Sequence, residues 1–481
     1  MVTPIYIVAI ALGVAFLLPL VERAGRALSD ALFMAALLVI AAIAGSWLYA
    51  LGTGSAATAQ VFTAGASPPL SINLRMGLEE AAILTSVNLL ALLGGIYLYR
   101  ILRERGARWQ VLFLLFTLGM NGVVMTRDLF NLFVFLEILA ISSYALIGIE
   151  LGSRSLAAGF KYAVAGSIAG IFLILGIIFL YGYTGTLNID LIALNPALSS
   201  GGAAVGIAIF MTLLALFIEM KQFPANGWAL DVYEAAHPGI SAMISAGGSG
   251  AILFALVKII PFGGEAWYST ALIAGTVTFL ASNLMALRQR RTTRMLGYSS
   301  IGWMGLLLAV TGLSPAIERT TLHTILGLLF LNHLFAKGGL YWLAGVVKGD
   351  DIEEWRRLAG RPLYLIPLGL FVLSLLGVPP FLGFWGKWEL VMTLGGEGLW
   401  PVLGAVLLGS LLEAAYLLRW FGHAVSGGER KPLSARMPGA GPEGAASANV
   451  VPAGAHEPAP TGTESHIVIW LFAILAAAAG A

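Results

Sequence analysis

Cysteine is missing from all 481 residues, which excludes disulfides and thiolate-held iron–sulfur clusters from this chain. Charge is nearly as scarce. Lys, Arg, Asp and Glu make up 11% of the sequence, against roughly 25% in a soluble globular domain. With a formal net charge of only +2, the chain has no basic footprint for nucleic acid. The Gly-rich run at 246–251 lacks the Lys-Ser/Thr ending of a phosphate loop, so close helix packing explains it better. No cofactor or metal motif is found, and any electron transfer has to happen in another polypeptide. What is abundant is apolar: 58% of the residues are hydrophobic and the mean hydropathy is +0.88. These values describe an all-α polytopic membrane protein.

A bilayer crossing takes about 20 apolar residues. By that measure there are about 14 transmembrane helices, at 2–21, 31–51, 80–99, 109–126, 129–149, 157–183, 203–221 with a continuation to 236, 239–259, 267–287, 295–313, 320–346, 363–395, 399–421 and 466–481. The first lacks the basic start and small-residue cleavage site of a secretory signal, so it reads as a span. Arginine and lysine crowd the loops after odd-numbered spans, for example Arg100, Arg103, Arg105 and Arg108, or Arg288, Arg290, Arg291 and Arg294. Basic residues collect on cytoplasmic loops. The odd-numbered loops are therefore expected in the cytoplasm and the N-terminus outside, with the polar loop 52–76 folding back on the outer surface.

Two spans carry breakers near a lysine: Lys221-Gln-Phe-Pro224 in the seventh, and Pro379-Pro-Phe-Leu-Gly-Phe-Trp-Gly-Lys387 in the twelfth. Proline removes a backbone donor, and broken backbone at membrane depth persists only where protein or cavity water satisfies it. Lying five spans apart, the breaks predict two five-helix repeats, spans 4–8 and 9–13, which an odd span count makes inverted. The expected units are an N-terminal three-helix segment (1–108), a first repeat (109–260), a second (261–423), a flexible Ala/Gly/Pro-rich cytoplasmic linker (424–465) and a C-terminal transmembrane segment (466–481).

Glu137, Lys221, Lys337 and Lys387 each interrupt an apolar stretch. A charge at the bilayer centre costs about 2.5 kcal/mol or more, so such groups face a partner or a hydrated cavity. Their spread predicts an ion pathway. His333 precedes Lys337 by one helical turn and shares its face, which suits proton exchange between them.

The runs Asp128-Leu-Phe-Asn-Leu-Phe-Val-Phe-Leu-Glu137, Phe223-Pro224 with Trp228 and Asp231, Tyr298-Ser-Ser-Ile-Gly302-Trp-Met-Gly305, Asn332-His333-Leu-Phe-Ala-Lys337 and Pro379 to Lys387 occur in that order. In them the chain resembles the proton-translocating antiporter-like subunits of respiratory complex I, and more closely the D-type subunit of Mrp cation/proton antiporters and its relatives in membrane-bound hydrogenases. The resemblance implies fourteen helices in a prokaryotic plasma membrane. It also implies two half-channels joined by a midplane line of charged residues and water, with Glu137 pairing with Lys221 while Lys337 and Lys387 continue the relay. Lysine suits this work because burial disfavours its charge and a nearby carboxylate favours it. The chain departs from the pattern at Gly250, where the family's eighth-span lysine would fall, and at Asn226, where a histidine is frequent.

Other readings stand beside the relay. Glu137 and Lys221 could form a fixed structural pair. Lys161, one turn inside the sixth span, could snorkel to headgroups or serve proton entry. Glu219 could touch another subunit or line a cavity, and its place two residues from Lys221 sets it on a different helical face. Glu413 could replace lost charge or link to the next subunit, and Lys258 reads as an interfacial anchor. Three functions follow: a proton-translocating subunit of a redox-driven complex, with antiporter-like and small membrane subunits and peripheral iron–sulfur or nickel–iron subunits as partners; the D-type subunit of a Na+/H+ antiporter; or a structural subunit with a degenerate channel.

Overall fold

The computed structural model describes residues 2–426 and 463–478. Most of the linker expected at 424–465 lies outside the described residues, as do 479–481. Ten helical runs are long and apolar enough to cross a membrane among the described residues. One of them, Pro238–Ala286, contains both the eighth and ninth spans. Adding Arg319–Val347, the broken pair Pro362–Leu376 and Leu382–Gly396, and Thr463–Ala478 brings the spans to fourteen. The seventh span is Gly202–Glu219 followed, after a break, by Gly227–Ala235.

Burial separates the spans by role. In the first, Ile5–Ala24, only 22% of the apolar window is buried, whereas in the tenth, Thr292–Gly312, all of it is. The tenth carries Ser299, Ser300 and Thr311. In lipid those hydroxyls would lack partners beyond their own helix, so the polar span takes the centre and the uniformly apolar ones the rim.

Contacts between loops sort them into two sets. The 52–77 loop forms an antiparallel hairpin, Ala59–Phe62 with Asn73–Met76, and bridges on to Thr126. Arg127 N–H donates to the Asn73 carbonyl (2.8 Å), its side chain pairs with Asp190, and Glu79 meets Arg319 (3.6 Å). All of these follow even-numbered spans or flank their loops. At the opposite end Lys161 pairs with Asp231 (2.5 Å), Arg294 with Glu234 (2.7 Å), and Arg291 with Glu234 and the strand-like Asp351. Those groups border odd-numbered loops. The sorting holds only if the seventh span, break included, crosses once.

Local signals set the ends. Asp128 accepts from Asn131 N–H (2.8 Å) to cap the fifth span, and Glu80 accepts from Gly77 N–H (3.0 Å) to start the third. The last helix, Thr463–Ala478, returns to the eleventh span, where Phe472 packs on Trp342 (4.5 Å) and Phe335 (5.4 Å).

Candidate functional site

The seventh span stops at Glu219, and Lys221 adopts φ +61°, a left-handed conformation uncommon outside glycine. This turn carries Nζ toward the eighth span, where it donates to Ser249 Oγ at 2.7 Å and stands 5.8 Å from the Trp228 ring. Lys221 is 1% exposed.

The fifth-span carboxylate is elsewhere. Glu137 rests against Gly170 of the sixth span and shares a small cleft with Glu219, lined by Leu136, Ala169 and Leu216. The cleft has room for about one water molecule. One turn away, the Tyr144 hydroxyl fills the space beside Gly166, and Glu219 Oε1 lies next to it, 3.3 Å from where a Cβ would stand. The Glu137–Lys221 pair implied by resemblance is not formed among the described residues. Glu219 and Lys221 face differently, as their spacing suggests: Glu219 lies in the cleft against the sixth span, and Lys221 reaches Ser249 of the eighth.

In the eighth span the Gly-rich run forms a π-helical turn, Met243–Gly248. Ser249 N–H bonds to the Ile244 carbonyl, which withdraws it from Ser245, its partner in an α-helix. The released Ser245 carbonyl lies 3.1 Å from His333 Nε2. A carbonyl only accepts, so Nε2 carries the proton and Nδ1 is unprotonated; in this fully buried ring Nδ1 has no partner among the described residues. At Gly250 a side chain would strike the ring of Phe330. The lysine position of the family is thus filled by close packing between the eighth and eleventh spans.

The second cluster centres on Glu413, which is 0% exposed. Lys387 Nζ approaches Glu413 Oε2 at 3.1 Å, donates to the Leu375 carbonyl at 2.8 Å and lies 5.2 Å from the Trp303 ring. That carbonyl is available because the helix ends at Leu376, leaving its last acceptors open. Trp303 Nε1–H donates to Glu413 Oε1 (2.6 Å). Lys337 Nζ donates to Ser299 Oγ, which stands 3.5 Å from Glu413 Oε1 and 2.6 Å from the Tyr416 hydroxyl. One carboxylate therefore serves Lys387 directly and Lys337 through a serine. None of these groups points toward lipid.

Lys161 lies at the rim in its pair with Asp231, with 58% of its side chain exposed. Lys258 is a cap rather than an interfacial anchor: Nζ donates to the carbonyls of Val123 (2.8 Å), Val124 (3.1 Å) and Thr126 (2.9 Å) at the end of the fourth span. It also borders a charged cavity of about 340 Å³ shared with Arg75, Asp190 and His323. Sequence reasoning did not single out Ser245, Ser249, Ser299, Trp303 or Tyr416. Ser299 and Trp303 lie inside a motif already noted, and Ser249 inside the Gly-rich run at 246–251.

A family model described as NADH:quinone oxidoreductase/Mrp antiporter, transmembrane, matches residues 126–413. NADH-quinone oxidoreductase subunit N of Desulforudis audaxviator is 31% identical over 456 residues, covering 89% of this chain and 87% of the relative. Among solved structures, a chain of the archaeal membrane-bound sulfane sulfur reductase matches with TM-score 0.83 at 29% identity, covering 99% of this chain and 94% of that one. A chain of the Mrp complex from Dietzia sp. DQ12-45-1b gives TM-score 0.83 at 24% identity, over 99% and 93%, and shows likeness of fold.

Proposed function

Because this chain belongs to the NADH:quinone oxidoreductase/Mrp antiporter transmembrane family, we propose that it is the proton-translocating membrane subunit of a multisubunit, redox-driven complex. Protons move along Lys221, His333, Lys337 and Lys387, with Glu137 and Glu219 at the first-half end and Glu413 as the second-half counter-charge. The observation that carries this reading is the buried, cross-span constellation of ammonium, carboxylate and hydroxyl groups around Glu413. A purely structural bundle has no use for so many desolvated ionisable groups, which are each expensive in a membrane. The redox drive is supported by the relatives, a quinone oxidoreductase subunit and a chain of a respiratory sulfane sulfur reductase complex.

In this reading spans 4–8 and 9–13 are inverted halves, each with a broken helix beside its lysine. The odd-numbered loops face the cytoplasm of a prokaryote. Lys161 and Asp231 pair at that face.

The test uses the intact complex, reconstituted into liposomes with its redox substrates. Lys387→Met is expected to lower the number of protons moved per turnover while the complex still assembles. Pumping equal to that of the parent complex would remove this subunit from the proton path.

A further inference from the structure

The seal between Gly250 and Phe330 raises the question of how the two halves communicate. Beside it runs a line of buried hydroxyls. Lys221 Nζ donates to Ser249 Oγ at 2.7 Å. One turn back on the same span, Ser245 Oγ donates to Ser300 Oγ of the tenth span at 2.9 Å. Tyr233, from the far half of the broken seventh span, places its hydroxyl beside both Ser249 and Ser245. The three serines are 0% exposed and Tyr233 is 1% exposed. Ser245 reaches the second half twice, by its hydroxyl to Ser300 and by its carbonyl to His333.

We infer that Ser249, Tyr233, Ser245 and Ser300 form a hydroxyl bridge that carries protons from Lys221 to the His333 and Lys337 side, in the place of an eighth-span lysine. The inference rests on the proton-translocating reading above and deepens it. A hydroxyl is both donor and acceptor, so it passes a proton without holding a charge. Ser249 now donates to the Ile244 carbonyl at 3.0 Å, which is a dead end for a proton. Ser300 likewise donates to the Leu296 carbonyl at 2.9 Å. Conduction requires Ser249 to turn its O–H toward Tyr233 and Ser300 to turn its own away from Leu296. Lys221 then gives a proton to Ser249 Oγ, Ser249 gives its own to Tyr233, Tyr233 to Ser245, and Ser245 to Ser300. At each oxygen one O–H bond forms and one breaks, and no electrons are transferred. From Ser300 the proton passes through water to His333 Nδ1, the ring nitrogen without a partner among the described residues, forming an imidazolium whose new Nδ1–H bond breaks as the proton goes to the neutral amine of Lys337 one turn away. The net change is an ammonium lost at Lys221 and gained at Lys337.

The experiment compares Ser245→Ala/Ser249→Ala, Tyr233→Phe and Lys387→Met in the reconstituted complex, with Thr117→Ala as a buried control whose hydroxyl bonds only within its own helix. Proton flux per redox turnover is measured in H2O and in D2O. The serine double variant and Tyr233→Phe are expected to slow proton transfer by about ten-fold or more, the scale of a lost proton-transfer group, and to change the solvent isotope effect. Thr117→Ala should match the parent. If the serine variant does not assemble, Tyr233→Phe decides, since it removes a single oxygen. Parent-like flux and isotope effect in both bridge variants, while Lys387→Met loses pumping, would overturn the bridge and leave the pump reading intact. Parent-like pumping in Lys387→Met would overturn the pump reading itself, and the bridge with it.

Discussion

Replacing Glu413 separates its electrical role from its packing role. Glu413→Leu strips Lys387 of its counter-charge, leaves Trp303 Nε1–H without an acceptor and deprives Ser299 of its carboxylate neighbour. Lys387 then retains only the Leu375 carbonyl. Breaking a buried ion pair by removing one partner destabilises by about 3–5 kcal/mol, because an uncompensated charge stays in a poor solvent. The orphaned indole adds about 1–3 kcal/mol. Replacing both members by apolar residues, as in Lys387→Met/Glu413→Leu, removes the uncompensated charge. It should recover most of the first figure and none of the second. Thermal unfolding of the purified complex, run beside proton flux in liposomes, reads the two quantities separately. The single variant should be both unstable and inactive in pumping, and the double variant more stable than the single, short of the parent, and still inactive. A double variant that pumps would refute the assignment of Glu413 and Lys387 to the relay. A single variant as stable as the parent would refute the buried pair.

Three further outcomes follow from the geometry. Gly170→Val should expel the Glu137 carboxylate from its cleft, lowering proton flux with little loss of assembly; unchanged flux would detach Glu137 from the path. Gly250→Lys should weaken thermal stability unless Phe330→Ala accompanies it, because the new side chain and the ring claim one space, and the two variants melting alike would contradict the tight contact. Lys258→Met should cost about 1.5–3 kcal/mol for a charged donor lost to carbonyls and leave the protons per turnover intact. A pumping defect without a melting shift would give Lys258 a different role.

Much of the frame was legible because hydropathy is additive along the chain. Every expected span has a helical counterpart, and both breaks fall beside the prolines, where a lost donor is a local fact. Partners were harder to read. Glu413 lies 26 residues from Lys387 and meets it only through the packing of the twelfth and thirteenth spans, so spacing carried no sign of the pair. Glu219 keeps a face apart from Lys221, but the serine that Lys221 reaches was not legible, because a left-handed residue at the break sends its side chain where helical spacing does not lead. The serines were hidden for a chemical reason. In a transmembrane helix most hydroxyls bond back to their own carbonyls, as Thr117 does to Phe113. Nothing local marks the few, such as Ser299, that reach across.

The return of Thr463–Ala478 to the flank of the eleventh span bears on biogenesis. Phe335, Gly338 and Trp342, on the helix that also holds His333 and Lys337, are covered by Phe472. During synthesis that flank emerges long before its cover exists, so acyl chains must line it while the ribosome completes the intervening polypeptide. The flank gains this cover only once Thr463–Ala478 has been made and packs against it.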